Sequence, residues 1–149
     1  MDSTTPDLAL VTGLYRTTNA AVRELDQRLG KEHDITFIQA VTLLAIDSFD
    51  RQQPHLVADY LSQQSQTVTG VLDRLERAGH VTRRRDLGDR RAVRLELTDS
   101  GRKLVDEMSK TLRKHVEEVL NGLDEQTREH LRKDLGELEQ SIRATTTAR

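Results

Sequence analysis

The stretch TVTGVLDRLERAGHVTRRRDLGDRRAVRLELTDSG, Thr67 to Gly101, changes its hydrophobic period partway through, and that change decides the fold. Up to Leu75 the apolar residues Val68, Val71, Leu72 and Leu75 recur at spacings of 3, 1 and 3, which is one buried face of a helix. Gly79 stands where a helix C-terminus favours a left-handed residue. From Val81 the period becomes 2. In Ala92 to Thr98, Val93, Leu95 and Leu97 alternate with Arg94 and Glu96, so the segment reads as a half-buried strand with the apolar set inward. Val81 to Arg85 is able to pair with it, and Asp86 to Asp89 supplies the turn, with Gly88 its permissive position. A helix followed by a two-stranded hairpin is predicted.

At the hairpin tip lies RRRDLGDRR, Arg83 to Arg91. Alone, such a cluster fits a solvated charge run, a localisation signal or a surface that meets a polyanion, and its place on a hairpin favours the last. Residues 74 to 94 hold eight arginines against three carboxylates, a local charge of +5 in a chain of formal net charge −2, so the remainder sums to −7. A basic patch on an acidic body is an electrostatic footprint for a phosphate backbone.

Upstream, SQQSQT is a polar turn with hydroxyls able to cap the helix that follows. Before it, Pro54 suits the first turn of another helix whose inner face is Leu56, Val57, Tyr60 and Leu61. Two short helices joined by a tight polar turn make a helix-turn-helix. ITFIQAVTLLAIDSF, apolar nearly all round, is a buried helix capped by Asp34 or Thr36. Nearer the N-terminus, Val11, Tyr15, Thr18, Val22, Leu25 and Leu29 form a narrow helical seam, facing either the chain's own core or a partner helix. The narrowness of the seam and its terminal position favour the partner.

Downstream, Thr98 caps a long helix carrying Leu104, Met108, Leu112, Val116, Val119 and Leu123, which ends near Asn121-Gly122. A last helix starts near Asp124 or Glu125 with Leu131, Leu135, Leu138 and Ile142 on one stripe, and the tail TTTAR is expected to fray. The fold class is mainly α with a small β-hairpin, a winged helix-turn-helix with extra helices at both termini.

The block from Thr67 to Gly101 resembles the DNA-binding core of the MarR family of transcriptional regulators, most specifically in Asp89-Arg90-Arg91, the alternating strand after it, and Leu97-Thr98-x-x-Gly101. The resemblance implies one MarR-type domain over 1–149, with the winged core at about 35–98 and dimerisation helices at about 6–30 and 99–145. It further implies a homodimer that straddles double-stranded DNA at a pseudo-palindromic operator, more readily as a repressor than as an activator. By the family pattern Arg91 enters the minor groove and Asp89 holds it in place. Relatives often carry a longer, basic residue where this chain has Gly70, a departure that bears on specificity.

The residues agree. Ser65, Gln66, Thr67, Thr69, Gly70 and Arg74 lie on or beside the face opposite the buried one, where a recognition helix meets base edges. Arg90 and Arg91 sit at the turn, suited to a narrow minor groove. Arg83, Arg84, Arg85 and Arg94 are placed for flanking phosphates, together with Arg74 and Arg77 at the end of the recognition helix. The resemblance also implies a small aromatic or phenolic effector in a cleft, for which Tyr15, Arg16 and Phe37 are the candidates. A competing reading is a winged-helix module that has lost DNA and meets an acidic protein partner.

Other classes find little support. The chain has no cysteine, which excludes disulfides, thiolate metal sites and a cysteine nucleophile. No catalytic motif is recognised, so no enzyme activity and no cofactor are expected. His115 and Glu118, three apart on a helix, are the nearest approach to a metal pair and read as solvated. No segment has the apolar length of a membrane span or the pattern of a secretory leader, so a cytoplasmic location is expected.

Overall fold

The computed structural model describes residues 4–85, 88 and 92–148, which fall into two compact units, Met1–Leu112 and Arg113–Arg149. In the first unit α1 (Thr4–His33) ends where Asp34 adopts φ 56° and the Ile35 N–H reaches back to the Leu29 carbonyl. α2 (Phe37–Asp47) begins at Thr36, which caps in preference to Asp34. The Thr36 hydroxyl accepts from the Gln39 N–H while the Gln39 side chain accepts from the Thr36 N–H.

α3 (Pro54–Tyr60) and α4 (Ser65–Arg77) form the helix-turn-helix, with Ser62 at φ 52° in the turn. Ser65 is already the first helical residue, and Gln64 before it makes no side-chain cap. The expected hydroxyl caps of this turn are therefore not used. The inner face of α3 is Val57 and Ala58; Tyr60, expected inside, is exposed and stacks on Phe49 with ring centroids 5.0 Å apart, the Arg51 guanidinium over its ring.

Gly79, at φ 82°, ends α4 as the sequence predicts, with the His80 N–H bonded to the Leu75 carbonyl. β1 (Val81–Arg85) then pairs antiparallel with β2 (Val93–Leu97), from Val81 opposite Leu97 to Arg85 opposite Val93. On the far edge of β2, the Leu95 N–H donates to the Gln52 carbonyl at 2.7 Å, which fixes the loop before α3. Val93, expected inward, is exposed: its partner is Arg85 and the hairpin has outrun the core there. Leu29, Leu43, Val57, Leu72, Leu75, Val81, Leu95 and Met108 are the buried centre.

α5 (Asp99–Leu120) starts from Thr98, whose hydroxyl accepts from the Gly101 N–H at 3.0 Å and donates to the Gly79 carbonyl at 2.6 Å. Within this unit Thr111 donates to Glu32 at 2.7 Å and meets the His33 ring at 2.8 Å, tying the end of α1 to α5.

The second unit holds the last turns of α5 and α6 (Glu125–Thr147). Asp124 caps α6 by accepting from the Thr127 N–H at 2.7 Å. The tail expected to fray is helical to Thr147, the hydroxyls of Thr145, Thr146 and Thr147 each bonding the carbonyl four residues back. His115, read as solvated, is buried. α6 itself buries no residue. Among the described residues no helix is long and apolar enough to cross a membrane.

Candidate nucleic-acid interface

The inner face of α4, Val68, Val71, Leu72 and Leu75, is buried, which leaves Ser65, Gln66, Thr67, Thr69, Gly70 and Arg74 exposed on the other side. The Thr69 hydroxyl turns back to the Ser65 carbonyl at 2.9 Å, so its methyl is the free part of that side chain. At Gly70 a Cβ would meet nothing within 4 Å, giving a gap in the middle of the exposed face. With no side-chain cap, the first N–H groups of α4 point to solvent at the positive end of the helix dipole. Arg74 and Arg77 extend the exposed face to the other end.

The wing arginines divide by strand face. Residues opposite one another in an antiparallel pair share a face. Arg83 and Arg85 therefore lie with Val81, Leu95 and Leu97 on the side turned to the helices, and Arg84 and Arg94 lie opposite each other on the other side. Two like charges directly opposed repel, and Glu96 offsets this, 3.2 Å from Arg84 and 3.9 Å from Arg94. Arg83 reaches α4, where Nη2 is 2.8 Å from Asp73 and Nε 3.2 Å from Glu76. Asp73 and Glu76 as anchors escaped the sequence reading, although the period-2 pattern that turns Val81 inward also turns Arg83 towards α4. Arg85 is exposed. Asp89, Arg90 and Arg91, with the expected turn residues Asp86 and Leu87, lie outside the described residues.

The effector candidates do not come together within one chain. Phe37 packs partly against the core and its N–H donates to Asp26 at 2.7 Å. Tyr15 lies on α1 some 11 residues before Asp26, about 16 Å along the helix at 1.5 Å per residue. Tyr15, at 69% exposure, and Arg16 are both on the surface. Among the described residues no group of three or more His, Asp or Glu could hold a metal ion.

A family model described as MarR family matches residues 33–92. The HTH-type transcriptional regulator PecS of Dickeya dadantii is 36% identical over 92 residues, 60% of this chain and 54% of that protein, so the chain spans about half the length of this curated relative. The structure is similar to that of the transcriptional regulator BldR from Sulfolobus solfataricus, with TM-score 0.79 and 28% identity over 92% of this chain and 99% of that one. It is also similar to an S. aureus MepR–DNA complex, with TM-score 0.78 and 27% identity over 89% and 97% of the two chains. Streptococcus pneumoniae FabT in complex with DNA gives TM-score 0.73 and 26% identity over 93% and 98%.

Proposed function

We propose that the chain is a member of the MarR family, which its match to the family model and its likeness to MarR-type structures support, and that it is a sequence-specific, double-stranded DNA-binding transcriptional regulator. It acts as a homodimer on a pseudo-palindromic operator, as a repressor released by a small-molecule effector. The whole chain serves as one domain, its winged core at about 35–98 flanked by dimerisation helices at about 6–30 and 99–145. The observation that carries this reading is the uncapped, exposed polar face of α4 beside a hairpin whose tip sequence is Asp89-Arg90-Arg91. Two relatives of similar structure were solved with DNA.

In this reading Gln66, Thr67 and Thr69 meet base edges across the gap left by Gly70, while Arg74, Arg84 and Arg94 serve phosphates. Arg91 enters the minor groove, braced by Asp89. An effector acts by changing the separation of the two recognition helices, which must lie about 34 to 36 Å apart to reach successive major grooves. Tyr15 and Arg16 are too far along α1 to share one chain's cleft with Phe37, so an effector site using all three would be built between subunits.

Selection from a random duplex pool tests the reading: it should enrich a palindrome with half-sites about 10 bp apart. Arg91→Ala should weaken binding to that duplex, and log affinity should fall linearly with log salt. No enrichment, together with salt-insensitive binding, would favour an acidic protein partner over DNA.

A further inference from the structure

We propose that Arg83 is a positioning residue: it clamps the wing to the recognition helix and neutralises no phosphate. This rests on the DNA-binding reading above and assigns one of its basic residues a different task.

Charge and geometry point the same way. Asp73 and Glu76 stand three apart on α4 and so share a face. Arg83 meets Asp73 through Nη2 at 2.8 Å and Glu76 through Nε at 3.2 Å, so one guanidinium bridges both carboxylates. The side chain is only 32% exposed, whereas that of Arg84 on the next residue is 70% exposed. One arginine between two carboxylates has its charge matched within the chain, which leaves it little to offer a phosphate.

Register explains why this arginine and not its neighbours. Arg83 pairs with buried Leu95 and therefore projects from the hairpin face that packs on α4, while Arg84 projects from the other. The main chain joins α4 to β1 through Ala78, Gly79 and His80, which fixes the near end of β1. Arg83, two residues further out, ties the strand's outer half to the helix at the start of the segment leading to the tip. A duplex read by both elements needs helix and tip held at one separation, and a clamp made before binding reduces the ordering that binding would otherwise require. Misplacing the wing should therefore weaken the matched duplex most, because only there must both elements engage together.

Arg83→Met, Arg83→Lys and the double variant Asp73→Asn/Glu76→Gln would be titrated with the selected palindrome and with random duplex at several salt concentrations. Thermal unfolding would confirm that each is folded at the assay temperature. For a clamp, all three variants lose roughly tenfold in affinity for the palindrome while affinity for random duplex holds to about twofold, the penalty being one of lost preorganisation. The salt slope stays unchanged in each. Lysine fails to rescue because a single ammonium lacks the fork that spans both carboxylates.

A phosphate-binding Arg83 gives the opposite pattern. Methionine lowers both affinities alike and reduces the slope by about 0.9, while lysine restores both. The double variant, by freeing the arginine, then binds more tightly with a steeper slope. Any of these results overturns the clamp, as does loss of thermal stability with the ratio of palindrome to random affinity preserved, which marks a purely structural contact. Failure of the unaltered protein to bind any duplex is a separate result that removes the DNA-binding reading itself, and the clamp with it.

Discussion

Gly70 and Gly101 both sit inside helices, for opposite reasons. At Gly101 a Cβ would overlap the His80 carbonyl oxygen, a main-chain atom that already accepts from the Thr98 N–H at 3.1 Å and so cannot give way. Gly101→Ala should destabilise the fold by about 1 to 3 kcal/mol, as overpacking does, visible as a lower melting temperature. At Gly70 the added methyl meets open space, so Gly70→Ala should raise stability by about 1 kcal/mol through helix propensity alone. A fall in melting temperature in Gly70→Ala would show that the glycine has a packing role. Sequence identified both positions, one through Leu97-Thr98-x-x-Gly101 and the other as a departure in the recognition helix. Which glycine is needed by the fold was not legible, because that depends on what another segment places beside it. The same holds for Tyr15 and Phe37, whose residue types suit an aromatic cleft but whose separation along α1 and α2 no pattern discloses.

Among the elements, the end of α4 at Gly79 and the start of α5 at Thr98 were well marked, the cap of α4, the end of α6 and the strand faces less so. Thr98 joins two ends at once, capping α5 through the Gly101 N–H and holding the left-handed end of α4 through the Gly79 carbonyl. Thr98→Val keeps the shape and loses both bonds; a cost of about 1 to 2 kcal/mol is expected from chemical denaturation. α6 offers a pH-dependent counterpart. Hydrogen bonds from Thr127 hold the Asp124 carboxyl below its ordinary range, with Arg128 adding to the shift. A pKa lowered on folding contributes stability above the unfolded value and loses it as pH falls through the folded one. Asparagine caps without titrating, so the protein should melt higher than Asp124→Asn at neutral pH, and the gap should close below about pH 4. An unchanging gap would mean that the charge is not what stabilises α6. The hairpin was legible as a hairpin because its period is 2. Its strand arginines Arg83, Arg84 and Arg94 were all read as phosphate contacts because charge carries no register, and the pairing of Arg83 with Leu95 and of Arg84 with Arg94 separates them.

Across the whole molecule, the apolar residues that nothing covers argue for a second copy. Leu131, Leu135, Leu138 and Ile142 follow one another at spacings of 4, 3 and 4, the seam of a helix that packs against another helix. Yet α6 buries none of its 23 residues, and Leu131, Leu135 and Ile142 are 44%, 44% and 55% exposed. Val116 and Val119 in the same unit, and Leu8, Val11 and Tyr15 on α1, are uncovered as well. Helices in proteins owe most of their stability to tertiary packing of an amphipathic face, and α6 buries no residue of its own stripe. In a homodimer these stripes become core, in keeping with a chain that is only 35% hydrophobic and 3% aromatic. The protein should therefore sediment at twice the 17.0 kDa chain mass. Leu131→Glu/Leu135→Glu would place charge in that seam and should yield monomers with reduced helical circular dichroism. Because one lobe reaches only one half-site, the monomers should also lose operator affinity far more than affinity for an isolated half-site. Monomeric behaviour of the unaltered protein at micromolar concentration, with its helix content intact, would leave the exposed stripes without this explanation and would remove the basis for two-fold operator symmetry.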